Sequence, residues 1–598
     1  MDCRVTPMPR ARIELARRLC LVALALGLAA AAASPPPEVL ARQAAEYRAQ
    51  VPKSVLELQQ FRTTTSVPFE VAGSRPGTAT LINLNPYVGA WYLLTVDTGQ
   101  PAGRRSFHLE NPRPTAQTVT LLGGDPGAVR LAIGDRGAPC TLRPGDRDGA
   151  LEGAVRSDLA YAPLCDGRLY LRNAVAGHRT SLERMAEFLR EHVWGGEQVI
   201  GFVKEEFYHD AFLEQPALQP GAGTIPAATG HRPKPAAIDA ASAGSGLVPA
   251  QLGLDVAAPG RELTVGQWYP IRDAGGVALS VVVPKVIDRS ILSARQPSVN
   301  ALGPVESEAL VYMVSFDLDT LDPHFVLGTD HPRLDWSPRP PATMRDMSLP
   351  GPDGIDRPAP LVTNGMVSPA EVRQTVATFT GGFKREHGAF SFGRLAQQNH
   401  GSHYGFIEQG VVFSKLQPGL ATVFATDDGA VRMKTWAVTD DALLPHIRFA
   451  RQNGVPLIDY DATLGLGVPG LLVNSWAQGN WSGSAKEDLR TLRAGLCLQS
   501  SEAGRYLIYG YFSDATPSAM ARVFQAYHCQ YALHLDMNAL EHTYLALYVT
   551  HGSQRVVEHL IRGMDVLDQQ KGNTYSPRFL SFPDNRDFFF MTKKGGAP

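Results

Sequence analysis

Several things are scarce in this 598-residue chain, and each scarcity excludes something. Net charge is only -2, and no cluster of Lys and Arg lies beyond the first eighteen residues. That removes the electrostatic footprint a nucleic-acid binder needs, so no nucleic-acid partner is expected. No stretch after residue 33 offers eighteen or more consecutive apolar residues, so no stable membrane span is expected there. Cysteine is sparse, at six residues, and no two have the C-x-x-C spacing of a zinc site or redox motif. There are no internal repeats.

What is present begins with an N-terminal pattern. Arg4, Arg10, Arg12, Arg17 and Arg18 precede an apolar run from Leu19 to Ala33 that ends in small residues, and Pro35-Pro36-Pro37 follows. This is the three-part order of a cleavable secretory signal, with cleavage near Ala33, and the run is too short to span a bilayer. A secreted, periplasmic or cell-envelope location is expected. The four cysteines beyond it, Cys140, Cys165, Cys497 and Cys529, then suit disulfides. Four allow three pairings, and the simplest is Cys140 with Cys165 and Cys497 with Cys529.

The expected organisation is a signal over 1–33, a helical lead-in over 34–61, an N-terminal domain over 62–214, a linker over 215–259 and a C-terminal domain over 260–598. In the N-terminal domain, short apolar runs at 79–84, 91–96, 118–122 and 129–133 alternate with turn signals and predict strands. Thr180 and Glu183 have capping-box spacing ahead of Leu182, Met185, Phe188, Leu189 and Val193, which predicts a helix, and 198–203 reads as a strand. No catalytic constellation stands out there. Residues 215–259 are rich in Ala, Pro and Gly, the composition of an extended connector. Leu310, Tyr312, Val314, Phe316 and Leu318 alternate with period two, predicting a half-buried strand, and the Pro-rich 338–360 reads as a surface loop.

Four blocks of the C-terminal half carry a resemblance. They are the 310–318 strand running on to His324-Phe325-Val326-Leu327-Gly328-Thr329, then Ala377-Thr378-Phe379-Thr380-Gly381-Gly382-Phe383, then Gly419 to Trp436 with Arg451-Gln452-Asn453 and Leu492-Arg493-Ala494-Gly495-Leu496, and last a helix over Thr516 to His528 with the strand Tyr531-Ala532-Leu533-His534-Leu535-Asp536. In order and spacing these resemble the phosphodiester glycosidase domain family, over residues 262–596. The resemblance implies an α+β fold, with a mixed-sheet C-terminal domain of that type preceded by a smaller strand-rich α+β domain. It further implies hydrolysis of glycosyl phosphodiester or related linkages in envelope or extracellular polysaccharide, so the expected partner is a saccharide or glycosyl phosphate.

Carried residue by residue, the resemblance makes Asp536 the catalytic carboxylate. Arg493, whose planar guanidinium can hold a phosphate through paired donors, is the second catalytic candidate. Thr380, Gly381 and Gly382 match a turn that contacts substrate, with Thr380 where the family has Asn. Met537-Asn538 stands where the family has a run of glycines, leaving Asn538 to supply an amide. These two departures support a second reading, a saccharide-binding or envelope-scaffold protein that keeps the fold without the chemistry. His534 and His542 beside Asp536 and Glu541 are ligand types a divalent metal uses, but they lack a metal-site spacing, so no cofactor is expected. His387 clusters with His400 and His403; the loop 399–405, which holds the latter two, and Trp436, Trp476 and Trp481 are weaker candidates for sugar contact.

Overall fold

Successive side chains of a strand point to opposite faces, so a strand apolar at every position must have a core on each side. Trp91–Asp97 comes close, apolar from Trp91 to Leu94 and at Val96, and it is buried from Trp91 to Val96. Trp91 and Leu93 enter a core shared with the C-terminal half, and Tyr92, Leu94 and Val96 enter a second core of the N-terminal region alone. In a computed structural model the chain is described over residues 54–70, 76–100, 103–123, 126–135, 137–181, 183–185, 210–224, 231–294, 296–330, 358–383, 404–474, 489–572 and 574–595. The expected secretory signal, most of the expected lead-in, the strand expected at 198–203, nearly all of the loop expected at 338–360, Trp476, Trp481, His387, His400 and His403 lie outside these residues.

The architecture is strand-rich, with few helices. In the N-terminal region a six-stranded sheet runs in the order Thr63–Phe69, Gly77–Asn83, Trp91–Asp97, Arg104–Glu110, Leu169–Arg172, Tyr161–Leu164. A three-stranded sheet of Val119–Leu122, Val129–Ile133 and Cys140–Leu142 and the helix Ala150–Arg156 share the second core with it. The strands expected at 79–84, 91–96, 118–122 and 129–133 are present within a residue or two. At residue 180 the first half of the capping box forms, with the Glu183 N–H donating to Thr180 Oγ1 at 3.1 Å. The Glu183 carboxylate is directed elsewhere, as described below.

In the C-terminal half an eight-stranded sheet follows the order Tyr269–Pro270, Val277–Val282, Val311–Asp317, Gly504–Ala515, Thr491–Ser501, Tyr531–Met537, Ile458–Asp461, Leu466–Pro469. A five-stranded sheet runs Leu321–Val326, Phe588–Lys593, Thr375–Thr380, Leu545–His551, Gln554–His559. A second five-stranded sheet runs Val411–Ser414, Phe406–Glu408, Ile447–Gln452, Ala421–Thr426, Val431–Thr435. Neighbouring strands in these sheets pair antiparallel. Val311–Asp317 is buried on both faces, not half-buried as its alternation suggests, because it lies inside the eight-stranded sheet with apolar layers on either side. The intervening Ser315 and Met313 are small or apolar enough to be covered as well.

The helix Pro517–Ala526 lies on this sheet. Thr516 caps it, accepting from the Ala519 N–H at 3.2 Å, and Pro517 occupies a first-turn position where its missing N–H costs nothing. Gly495 and Gly510 are directly opposed on neighbouring strands beneath the helix. A Cβ on Gly495 would stand 2.8 Å from Phe524 Cζ and 2.9 Å from Met520 Cε, so the paired glycines form the hollow into which the helix packs. The disulfides Cys140–Cys165 and Cys497–Cys529 are both formed, in the pairing expected. The second ties the Thr491–Ser501 strand to the turn leading into Tyr531–Met537.

Residues 215–259, read from composition as a connector, are mostly irregular where described, with a short helical turn at Ala240–Ser242, and they are laid onto the C-terminal half. Gly246–Leu247 pairs with Leu263–Thr264, the Ala237 N–H donates to the Ala526 carbonyl at 2.9 Å, and Leu247 and Leu254 are buried. The small side chains that suggested flexibility instead permit close backbone approach. A Cβ on Gly223 would fall 2.4 Å from Thr264 Oγ1.

The two halves meet through buried charge. Arg172 donates to Glu110 at 2.5 Å, lies 4.1 Å from the Trp91 ring centre and has Glu408 at 3.6 Å. Ser368 donates to the other Glu110 oxygen at 2.5 Å, and the Leu327 N–H donates to Glu408 at 3.0 Å. Glu371 stands 3.6 Å from His324, whose neighbour Asp322 makes a two-pronged pair with Arg448 at 2.6 and 2.7 Å. Burial, the larger influence, and neighbouring carboxylates raise the pKa of both Glu371 and Glu408 to about 8.

Candidate functional site

The strand Tyr531–Met537 brings Asp536 to the far end of the large sheet. Its pairing with Thr491–Ser501 is irregular between Arg493 and Gly495, a bulge that re-aims the side chains around it. Asp536 is 6 % exposed. Its Oδ1 accepts from the Met537 N–H at 2.8 Å, and its Oδ2 accepts from Arg586 Nη1 at 3.0 Å.

Arg586 is the centre of the cluster. It stands two residues before the strand Phe588–Lys593, its N–H held by Asp584 Oδ1 at 2.9 Å. Besides Asp536 it donates through Nη2 to Glu183 at 3.1 Å and to His542 Nε2 at 2.6 Å. Burial opposes its charge, but Glu183, Asp536, Glu541 and Asp584 outweigh burial and hold its pKa above the ordinary arginine value. His542 Nδ1 lies 2.6 Å from the Met537 carbonyl, so the hydrogen-bond network assigns the tautomer protonated at Nδ1 with Nε2 as acceptor. Glu541 Oε1 is 3.8 Å from His542 Nε2. Next to them Arg578 and Asp584 form a buried two-pronged pair at 2.8 and 3.1 Å, and Arg578 Nη1 donates to the Glu541 carbonyl at 2.9 Å.

The glycine turn reaches the same place. Thr380 donates to the His542 carbonyl at 2.7 Å, so its hydroxyl positions the histidine. Gly381 gives its N–H to the Asp587 carbonyl at 2.8 Å, which removes it from the set of donors available to an anion. Gly382 has φ +150°, and a Cβ there would stand 3.0 Å from Asn453 Oδ1 and 3.2 Å from Arg451 Nη2. Asn453 links turn to strand: Oδ1 accepts from the Phe383 N–H at 3.2 Å, while Nδ2 donates to the His534 and Leu535 carbonyls at 2.5 and 2.6 Å. Arg451 pairs with Asp587 at 3.1 Å and donates to the Phe383 carbonyl at 2.6 Å.

Asp536, Thr380, Gly381 and Gly382 are thus brought together, and Asn538 follows at the strand end. Asn538 has φ +77°, a left-handed conformation that asparagine tolerates better than most residues, and its Oδ1 accepts from Thr491 Oγ1 at 3.0 Å. That amide is turned to the Thr491 strand.

Arg493 is placed differently from the sequence expectation. It is fully buried, donating to the Ala515 and Leu489 carbonyls at 2.7 and 2.8 Å, with Nη1 3.3 Å from His534 Nε2 and 3.0 Å from Met537 Sδ. Its register partner is Met537, and the carboxylates acting on its charge are Asp514 and Glu306. Burial pulls its pKa down to about 9. The cation at Asp536 is therefore Arg586. Burial and the Arg493 charge also push the His534 pKa well below its ordinary value. Trp436 is 1 % exposed and packs beside Phe424 in the core of its own sheet, so it does not offer a face to a sugar.

Arg586 and Glu183 are the residues that sequence reasoning missed. The run Asp584-Asn585-Arg586-Asp587 ahead of Phe588-Phe589-Phe590 is the only local signal, since polar residues massed at a strand entrance mark a place where charge is gathered. Glu183 gives no such signal, because its spacing from Thr180 already has an explanation. Among the described residues no group of three or more His, Cys, Asp or Glu is arranged to hold a metal ion.

No family model and no curated protein matches the chain. Among solved structures it is similar to a hypothetical protein from Synechocystis, at 12% identity over 88% of this chain and 98% of that one, with a TM-score of 0.23. It is also similar to a Burkholderia pseudomallei K96243 protein described as "Putative exported protein", at 10% identity over 47% of this chain and 74% of that one, with a TM-score of 0.21; neither likeness is close enough to carry an argument about fold or function.

Proposed function

We propose that this protein is an exported hydrolase that cleaves glycosyl phosphodiester or related linkages of envelope or extracellular polysaccharide. The observation that supports this most is the Asp536–Arg586–His542 cluster at a strand end, with Glu541 beside it and the Gly381-Gly382 turn tied to it through Asn453. In such a reaction water adds at the anomeric carbon, the bond from that carbon to the phosphate oxygen breaks, and a sugar and a phosphomonoester leave. Asp536 is the carboxylate that stabilises the positive charge developing at the anomeric carbon. Arg586 is the cation that takes up the phosphate by exchanging one of its carboxylate partners for a phosphate oxygen. A phosphomonoester leaves with little protonation, so His542 and Glu541, the more open pair at 18% and 14% side-chain exposure, need only direct the water. Export is supported by the signal-like first 33 residues and by the two disulfides, which persist in an oxidising compartment.

One observation favours the second reading, a saccharide-binding protein without catalysis. Arg586 is surrounded by Glu183, Asp536, Glu541 and Asp584, so the site is more acidic than a phosphate prefers. Hydrolysis of a sugar 1-phosphodiester by the full chain, compared with Asp536→Asn, separates the two.

A further inference from the structure

The strand that carries Asp536 pairs with Thr491–Ser501, whose other end borders a cleft. Between Arg493 and Ser500 the Thr491–Ser501 strand spans seven residues, about 23 Å at roughly 3.3 Å each. A cleft of about 880 Å³ opens at that opposite end, between the 500–503 turn, the residues after the helix Pro517–Ala526 and the segment 232–235. Arg232, Lys234 and His528 line it, with Glu502 on the hairpin turn as its acid.

These groups are built into place. The Lys234 N–H donates to Gln499 Oε1 at 2.7 Å, and its carbonyl accepts from Trp268 Nε1 at 3.1 Å and Gln499 Nε2 at 3.2 Å. Its ammonium is exposed and makes no ion pair among the described residues. Arg232 is anchored by donation from Nη1 to the Trp268 carbonyl at 3.2 Å. His528 adopts φ +55° just past the helix, and burial first, then the charge of Lys234, lowers its pKa. A wall of Ser500, Gln525 and Leu466 completes the cleft. Gln525 Oε1 is buried with no hydrogen-bond partner among the described residues, an acceptor that calls for a donor such as a hydroxyl.

An anchored arginine with an exposed ammonium, an unsatisfied acceptor and an apolar flank are the three features that an acidic sugar unit satisfies together: an anion, hydroxyls and a C–H face. We propose that this cleft binds an acidic monosaccharide unit, phosphorylated or uronic, at a site separate from Asp536. The proposal does not rest on hydrolysis at that residue.

Titration calorimetry of the full chain with glucose 1-phosphate, glucuronate and glucose tests it. At least one of the two anions binds and glucose binds more weakly, with the tighter anion identifying the acid as phosphate or carboxylate. Lys234→Glu, an exposed position, weakens the anion by about tenfold or more, a loss of roughly 1.4 kcal/mol, with unchanged thermal unfolding. Asp536→Asn leaves this binding as it was. Failure of both anions to bind, equal binding of glucose, or retention of anion affinity in Lys234→Glu overturns the proposal; loss of binding in Asp536→Asn does so too, by placing the anion at the other site.

Discussion

Arg586 donates to Asp536 across 3.0 Å, and this one bond joins the entrance of the last strand of a five-stranded sheet to the end of a strand in the eight-stranded sheet. Both side chains are nearly buried, so the pair is held in a medium where each charge depends on the other. Asp536 is thereby aimed, which a carboxylate needs if it is to meet developing positive charge.

Removing one member of such a pair leaves the other buried and uncompensated. Arg586→Met is expected to lower unfolding stability by roughly 3 kcal/mol, and Asp536→Asn by less, because an amide still accepts from Arg586. Urea unfolding followed by fluorescence measures both. Wild-type stability in Arg586→Met means that the pair contributes no structure.

Gly495 gives a test of the sheet–helix contact. Gly495→Ala places a methyl against Phe524 and Met520 in a closed core and is expected to cost about 1–3 kcal/mol. Phe524→Leu combined with it recovers part of that loss, since the shorter side chain vacates the space. Thermal unfolding of the three variants checks this, and equal stability of Gly495→Ala and wild type contradicts it.

The buried carboxyls between the halves predict a pH dependence. Glu371 and Glu408 titrate near 8 in the folded chain, against an ordinary 4.5. A carboxyl whose pKa is raised by folding favours the folded state below 4.5, and that contribution is lost as pH rises from 4.5 through 8. His324 acts in the opposite sense. Burial, reinforced by the charge of Arg448, lowers its pKa to about 3, so its contribution is present above 6.5 and lost as pH falls through 3. Glu371→Gln and Glu408→Gln isolate the acids. Each variant is expected to lose less stability than wild type between pH 5 and pH 8, and an unchanged slope contradicts the assignment.

Much of the fold was legible because it rests on local signals. Thr516-Pro517 states a helix start, and the largely apolar run from Tyr531 to Leu535 forms the strand that delivers Asp536. The pairing of Cys140 with Cys165 and Cys497 with Cys529 follows chain order. The candidate site was legible only in part. Asp536 and the Gly381-Gly382 turn could be named through the family resemblance, each standing at the end of a strand-like run. Arg586 and Glu183 could not, since they lie 50 and 353 residues from Asp536 and meet it only through tertiary packing. Arg493 shows the converse error. It lies on the strand adjoining that of Asp536, but its donors go to the Ala515 and Leu489 carbonyls and its charge meets Asp514 and Glu306. Composition misled at 215–259 for a related reason, because alanine and glycine suit a free connector and a closely packed one equally well.

The central claim is most directly tested by hydrolysis of a sugar 1-phosphodiester by the purified full-length chain, reading release of the phosphomonoester. The account predicts turnover by the wild type and a loss of about 10²–10⁴-fold in Asp536→Asn, with the variant still folded. No turnover by the wild type, or turnover unchanged in Asp536→Asn, contradicts it.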